Sequence, residues 1–307
     1  RLFDRSGNIG PTVWCDGRIV GGWAQRTDGE IALALLEDVG AGAAAAIALI
    51  RTRPNDWWLP GSGLLVGTSV AGATLAPVLL DPLFNDFTPL DGEPRDAILG
   101  LAGRAGVKVG SVLKVDASRR TSAANAYVGG LGRTKRVVLF DTLLDRYPPA
   151  ERDLVIAHEL AHVKHRDVPR LLAFLTLTAP PTTAFAQALA ARLDPHGVGS
   201  GRASARSLPA LSLALGAASM LTMQASLRLS RRVENRADSF ALALRPDPDA
   251  FIGFERRIAL QNLADPDPPR LLQLAFGTHP TIVERIGIAE AFRLRRPPAE
   301  PRSPAGS

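Results

Sequence analysis

Three segments of the sequence contain no charged residue over a length sufficient to cross a lipid bilayer. They are residues 57–80, 171–191 and 207–227. A bilayer-spanning helix needs roughly 20 predominantly apolar residues, and all three segments are long enough. Arginines flank the second and third segments, and Trp57 and Trp58 lie where interfacial aromatic residues are expected. This pattern predicts three membrane-spanning helices.

Buried helices of a soluble protein are the alternative interpretation of these segments. They are rich in alanine, glycine, serine and threonine, and Pro180 and Pro181 interrupt the second one. Residues 31–50 form a candidate fourth span. Glu37 and Asp38 lie within it, and two acidic groups there would be costly in lipid.

The overall charge of the chain gives little reason to expect nucleic-acid binding. The net charge is +6 and the pI is about 10.2, but the arginines are scattered and form no basic run interleaved with aromatics. A basic membrane protein that faces an anionic cytoplasmic leaflet explains this balance at least as well. Cys15 is the single cysteine, which excludes an intrachain disulfide and a cysteine-based metal site.

The polar region between the first two predicted spans, residues 81–170, is predicted to contain a small sheet. Residues 91–105 have the pattern of an amphipathic helix, and residues 107–116 alternate as a strand does. Residues 125–128 and 136–140 read as two strands of a hairpin around the glycine-rich stretch "GGLGRTK".

A predicted helix that starts at Ala150 carries the pattern H-E-x-x-H. His158 and His162 are four residues apart, so they share one helix face and can bind one zinc ion. Glu159 lies beside them, where it can take a proton from a water molecule activated by zinc and return it to a leaving amine. Apolar neighbours would bury this helix, which argues against two unrelated surface histidines.

Two histidines leave the third zinc ligand open. His165 lies only three residues past His162 and lacks the glycine turn that returns a third histidine, so we interpret it as a solvated or interfacial cation. A carboxylate must then complete the site, and Glu234 follows the third predicted span. Asp238, one helical turn later, would accept the free ring N–H of a ligand histidine. Two spans separate His162 from Glu234, so both would lie on one side of the membrane.

The stretch "FGTHPTIVERI" supplies two further candidates. His279 could donate a hydrogen bond to the oxyanion that forms when an amide is attacked. Arg285 could support the same charge or orient the site. The alternatives are a loop histidine that precedes a helix and an ordinary surface arginine.

Several of these segments together resemble the membrane zinc endopeptidases that include type I CAAX prenyl proteases and HtpX-type proteases. The matching segments are "PNDWWL", "PLFNDFTPL", "NAYVGGLGRTKRVVLFDTLL", "AHELAHVKHRD", "ENRADSFAL" and "THPTIVERI". The resemblance implies a gluzincin-type core and the same roles for the ligands, base and flanking residues as above. It also implies that Asn125, Ala126 and Tyr127 lie on an edge strand that holds the substrate backbone. Ala161 departs from the glycine usual in this family.

We therefore expect a mainly α-helical integral membrane protein with a small β-hairpin or sheet beside the zinc-binding helices. Residues 1–30 would be an N-terminal segment, truncated in this sequence, and residues 31–294 a membrane-embedded peptidase domain. Residues 295–307, "RRPPAEPRSPAGS", are predicted to be a disordered tail. Basic residues crowd the span ends near the motif, which predicts a cytoplasmic zinc site, and the alanine- and arginine-rich composition suggests a bacterial plasma membrane.

The predicted function is that of a membrane-embedded zinc metalloendopeptidase, with one zinc ion per chain, that cleaves membrane or membrane-associated proteins. Its partners would be a peptide or protein substrate and the lipid membrane, without nucleic acid. One alternative is an antibiotic-sensor-type receptor that cleaves a repressor, although no sensor domain follows the last span. Another is a non-catalytic zinc-binding adaptor, which would have no need of Glu159.

Overall fold

A computed structural model describes most of the chain, in two compact units. The described residues are 12–15, 18–25, 31–35, 40–75, 85–119, 121–130 and 135–295, with side chains from residue 45 onward. Residues 296–307 of the predicted tail and residues 76–80 of the first predicted span lie outside them. The first unit comprises residues 1–61 and 183–218, and the second comprises residues 62–182 and 219–307.

The first unit contains a three-stranded antiparallel sheet and a short helix. The sheet has the order β1-β2-β3, with β1 at Thr12–Cys15, β2 at Arg18–Gln25 and β3 at Ile31–Leu35. Helix α1, Gly40–Thr52, has 13 residues. The prediction of one spanning helix over residues 31–50 is therefore wrong. The start of that segment pairs its backbone with β2, and α1 is shorter than the roughly 20 residues that a span needs.

A small core holds the rest of the first unit together. Trp57 is buried and packs in one cluster with Ile50, Ala190 and Leu211. Its ring therefore packs in the core of this unit, and its predicted place at a lipid interface stays a prediction. The hydroxyl of Thr183 donates a hydrogen bond of 3.0 Å to a backbone carbonyl in the same unit.

The second unit contains a four-stranded mixed sheet that confirms the predicted strands and hairpin. Its strands, in the order β4-β5-β7-β6, are β4 Phe87–Pro89, β5 Ser111–Val115, β7 Arg136–Phe140 and β6 Ala126–Gly129. Strands β5 and β7 run parallel, whereas the β4–β5 and β6–β7 pairs are antiparallel. This order leaves β6 at an edge of the sheet.

Helices make up most of the remaining described chain. They are α2 Trp58–Leu75, α3 Glu93–Ala105, α4 Asp141–Arg146, α5 Pro149–Lys164, α6 Asp167–Leu193, α7 Leu208–Leu244, α8 Pro248–Gln261, α9 Arg270–Phe276 and α10 Ile282–Arg295. The predicted helices over residues 91–105 and from Ala150 are confirmed.

Helix α5 ends before Pro169. Its last residue is Lys164, and Arg166 has a φ of 55°, in the left-handed region that stops a helix. Helix α6 starts at the next residue, so Pro169 lies in the first turn of a new helix. Its missing N–H costs nothing there, because the first N–H groups of a helix have no intrahelical partner.

The apolar face of α5 packs into the main core of the second unit. Ile156 and Leu160 are fully buried and lie in one cluster with Leu101 of α3 and with Val137 and Leu139 of β7. This burial fixes the rotation of α5 about its axis. The positions of the apolar residues in the sequence therefore determine which side chains of α5 lie on the face away from the core.

One helical region among the described residues, Ala205–Leu244, is long and apolar enough to cross a membrane. Residues 171–191 lie within the long helix α6, and residues 58–75 form α2. A single such helix also occurs in the cores of soluble proteins. Length and composition therefore leave membrane insertion as a proposal.

Candidate metal centre

Helix α5 places two histidine rings in contact on one face. His158 and His162 meet edge to face, with ring centroids 4.8 Å apart. Their Nε2 atoms are 3.2 Å apart and point at one another. The four-residue spacing on a helix produces this approach, as the sequence predicts.

Glu234 of α7 completes a three-residue group. One of its carboxylate oxygens is 3.4 Å from His158 Nε2, and the other is 3.8 Å from His162 Nε2. One ligand atom from each of the three residues can be chosen so that all lie within 4.8 Å of one another. Tetrahedral zinc with bonds of about 2.0–2.2 Å places its ligand atoms roughly 3.3–3.6 Å apart, close to these separations.

The second nitrogen of each ring lies against a carboxylate. His158 Nδ1 is 2.8 Å from Asp238 Oδ1, and His162 Nδ1 is 3.0 Å from Asp167 Oδ2. A carboxylate accepts hydrogen bonds, so each neutral ring carries its proton on Nδ1 and directs the lone pair of Nε2 inward. Two lone pairs at 3.2 Å repel unless a cation lies between them, so these residues fit a metal ion.

The electrostatics of the centre also favour positive charge. Burial alone would lower the pKa of His158, yet it rises to about 9 because the Asp238 and Glu234 carboxylates stabilise the protonated ring. A bound metal ion would replace that proton and satisfy the same carboxylates.

Arginines hold both supporting carboxylates. Asp238 is fully buried, and the guanidinium of Arg285 donates two hydrogen bonds to it, Nε to Oδ2 at 2.8 Å and Nη2 to Oδ1 at 2.5 Å. Asp167 is also buried and accepts a hydrogen bond from Arg236. Such charge-assisted pairs are stronger than neutral hydrogen bonds, so they fix the carboxylates that orient the rings.

The role of Asp167 was not predicted from the sequence. It lies five residues after His162, just beyond the end of α5. The left-handed backbone of Arg166 turns the chain so that Asp167 returns to the ring. The sequence does show an acidic residue shortly after the H-E-x-x-H motif. Its contact with His162 could be predicted only if the end of the helix were already known.

Glu159 lines a cavity of about 210 Å³ with His158 and Glu234. Burial raises the pKa of its carboxyl above the ordinary value, whereas the two neighbouring histidines lower it. The side chain is therefore next to the candidate ligands without being one of them, as a general base should be.

The structure brings His279 and Arg285 to the centre at different distances. His279 Nε2 is 3.6 Å from a carboxylate oxygen of Glu234. The His279 side chain is 64% exposed. The Arg285 guanidinium lies behind His158, between Asp238 and a second carboxylate, Glu255, whose Oε1 is 2.9 Å from Nη1. Of the two roles predicted for Arg285, this geometry favours orientation of the site. Glu255 was not anticipated.

The predicted substrate-binding residues lie partly at the centre. Asn125 lines the cavity, and its backbone carbonyl accepts a hydrogen bond from Phe140 N–H at 3.0 Å. By antiparallel register, Ala126 and Val128 then direct their N–H and C=O groups to the free edge of β6, where the Ala126 N–H donates a hydrogen bond of 2.9 Å to Asn125 Oδ1. The Tyr127 side chain packs in a separate apolar cluster and does not line the cavity.

His165 does not join the ligand group. Its ring packs edge to face on Phe240 at 5.4 Å, and its Nδ1 is buried without a hydrogen-bond partner among the described residues. Its role as a solvated or interfacial cation stays a prediction. Burial and the nearby Arg236 charge lower the pKa of this ring.

The sequence profile of Peptidase family M48 matches residues 91–292. The protein named "Uncharacterized metalloprotease YhfN" from Bacillus subtilis is 34% identical over 253 residues, which cover 79% of this chain and 58% of that protein. "Probable CAAX prenyl protease 1" from Schizosaccharomyces pombe is 31% identical over 235 residues, which cover 73% of this chain and 48% of that protein.

The fold has a counterpart among solved structures. The crystal structure of Ste24p from S. mikatae matches with a TM-score of 0.69 and 24% sequence identity, over 82% of this chain and 63% of that one. The present chain thus spans less than two thirds of the length of each of these proteins. Together the matches confirm the resemblance that the sequence motifs predicted.

Proposed function

The chain belongs to Peptidase family M48, and we propose that it is a membrane-embedded zinc metalloendopeptidase. The observation that carries this proposal is the inward pair of Nε2 atoms, 3.2 Å apart, with Glu234 beside them. His158, His162 and Glu234 would hold one zinc ion per chain. Three protein ligands leave a fourth position open, which is typical of catalytic rather than structural zinc.

The residues around the centre would have different roles in amide hydrolysis. Bound zinc would supply Lewis acidity toward water and the scissile carbonyl. Glu159 takes a proton from the attacking water and returns it to the nitrogen of the leaving amine. His279, on the exposed side of the centre, donates a hydrogen bond to the developing oxyanion.

Supporting residues keep the ligands in one tautomer. Asp238 and Asp167 accept the Nδ1–H of the two rings, so both Nε2 lone pairs stay directed at the metal position. Arg285 holds Asp238 by two hydrogen bonds and acts on catalysis through that carboxylate. It is therefore a positioning residue in this proposal.

The edge strand β6 would bind the substrate backbone. Ala126 and Val128 face the free edge, and Asn125 lines the cavity that also contains Glu159. Pairing through backbone groups is tolerant of substrate sequence. The substrate would be an extended segment of a membrane or membrane-associated protein.

Exposed apolar side chains support insertion into a bilayer. Leu213 and Leu221 of α7, Leu177 of α6 and Leu64 of α2 are each more than 60% exposed, on helices that contain the predicted spans. Large apolar side chains exposed to this extent are unfavourable in water and favourable in lipid. With residues 171–191 and 207–227 as spans, both halves of the centre lie on one side, which we assign to the cytoplasm of a bacterial cell.

Three other functions are less well supported. The relatives named CAAX prenyl protease 1 make a prenylated substrate a second candidate, but the cavity residues show no feature specific to a prenyl group. A repressor-cleaving receptor would share the same centre. A non-catalytic adaptor would not require the carboxylate of Glu159 in the cavity.

Metal analysis and peptide cleavage test the proposal together. We expect detergent-purified protein to contain one zinc ion per chain and to cleave a casein-like substrate. Chelation should abolish cleavage, and added zinc should restore it. Protein that cleaves equally well after its zinc has been removed would contradict the proposed function.

A further inference from the structure

One carboxylate in the cavity takes part in neither zinc binding nor proton transfer. Glu255 of α8 lines the cavity and is only 1% exposed. Its Oε1 lies 2.9 Å from Arg285 Nη1, but the contact lacks hydrogen-bond geometry, so this oxygen has no hydrogen-bond partner among the described residues. A buried carboxylate oxygen without a hydrogen bond is costly, which calls for a reason to keep it there.

The arginine next to Glu255 is already engaged. Arg285 donates two hydrogen bonds to Asp238, so one guanidinium serves two buried carboxylates. Burial raises the pKa of Glu255 to about 7, since the attraction of Arg285 is offset in part by repulsion from Asp238. Glu255 is therefore the less satisfied of the two carboxylates.

The net charge of the whole centre also favours the binding of a cationic group in the cavity. When all are ionised, five carboxylates, those of Glu159, Asp167, Glu234, Asp238 and Glu255, stand against two guanidiniums, those of Arg236 and Arg285. A bound zinc ion would add two positive charges, which leaves one negative charge in excess. A cationic group that enters the cavity would neutralise it.

The walls of the cavity suit a long aliphatic chain. Leu143, Phe251, Phe254 and Ile258 line it, and its volume is about 210 Å³. Lysine and arginine carry a charge at the end of an aliphatic stem, so their methylenes could pack on these walls while the charge reaches a carboxylate. Asn125 and Glu159 line the same cavity, which therefore opens beside the reacting bond.

We propose that this cavity is a specificity pocket for a lysine or arginine side chain of the substrate, with Glu255 as its anionic partner. The pocket would take the residue at one of the two positions that flank the scissile bond. This inference rests on the proposed peptidase function. It differs from a role of Glu255 as a mere counter-ion of Arg285, because that role would affect all substrates alike.

A peptide series tests the pocket by cleavage. The peptides differ only at the two flanking positions, which carry arginine, lysine, methionine or glutamate in turn. We expect the wild-type protein to prefer arginine or lysine over methionine at one position, and Glu255→Gln to lower kcat/KM for the basic peptides alone. Loss of a charged hydrogen bond predicts a fall of roughly 10- to 100-fold.

Glu151→Gln is the matched control, because Glu151 is also a buried glutamate paired with an arginine, Arg257, but does not line the cavity. It should leave the preference among peptides unchanged. If Glu255→Gln lowers kcat/KM equally for all peptides, Glu255 acts only as a counter-ion of Arg285, and the proposed pocket is overturned. The absence of a basic preference in the wild-type protein would overturn it without any variant.

A binding measurement separates the pocket from the peptidase activity. Fluorescently labelled arginine and methionine peptides are titrated into zinc-loaded Glu159→Gln protein, with and without Glu255→Gln. Tighter binding of the arginine peptide that depends on Glu255 supports the pocket, even if the wild-type protein cleaves nothing and the proposed function fails. Equal binding of the two peptides overturns the pocket, whether or not the protein is a peptidase.

Discussion

Replacement of Asp167 by asparagine should weaken zinc binding although Asp167 does not touch the metal position. The carboxylate fixes His162 through a contact of 3.0 Å to Nδ1 and is itself held by Arg236. Asparagine keeps the size of the side chain and can still accept one hydrogen bond, but it removes the negative charge. His162 would then become a weaker base toward the metal and could rotate or change tautomer.

The expected loss of zinc affinity can be bounded from typical values and from the structure. Loss of a carboxylate behind a ligand histidine typically lowers metal affinity about 10- to 100-fold, which corresponds to roughly 1.4–2.7 kcal/mol. We expect the lower part of this range, because the asparagine oxygen can retain the contact to Nδ1. Arg236 is 38% exposed at its side chain, so water can solvate it once its partner is neutral.

Competition with a chromophoric chelator measures this change in zinc affinity directly. Asp153→Asn is the control. Asp153 lies on α5, the helix that carries both histidines, and it pairs with an arginine, Arg245, at 3.3 Å, away from the ligands. The control should bind zinc as the wild-type protein does. Unchanged affinity in folded Asp167→Asn would refute the claim that this carboxylate orients His162.

Three further results are expected. Glu234→Ala should lose most bound zinc in metal analysis, and full stoichiometry would remove Glu234 from the ligands. Leu160→Ala should lower the free energy of unfolding by about 2–5 kcal/mol, because Leu160 is fully buried, whereas Leu263→Ala at a 92% exposed position should have little effect in the same denaturation assay. Cysteines placed at positions 165 and 236 should be labelled from the same side of the membrane, and labelling from opposite sides would contradict the two-span topology.

The sequence predicts the local parts of the centre because short-range geometry determines them. The spacing of His158 and His162 sets their approach on any helix, and the apolar neighbours in α5 set which face is buried. The hairpin of β6 and β7 follows from two β-prone runs around glycines. These features depend on few residues and short separations along the chain.

The parts that the sequence did not predict depend on tertiary contacts. The role of Asp167 requires the left-handed turn at Arg166, and that of Glu255 requires the approach of α8 to Arg285. The failed span at residues 31–50 has a similar cause, since pairing of β3 with β2 decides its conformation. Hydropathy along one segment carries no information about such a partner.

The most direct test of the central claim compares wild-type protein with Glu159→Gln for both zinc content and peptide cleavage. Glu159 lies in the cavity beside the ligands and is assigned to proton transfer alone. The account predicts one zinc ion per chain in both proteins and a loss of cleavage of at least roughly 100-fold in the variant. Equal cleavage by the two proteins at equal zinc content would contradict it.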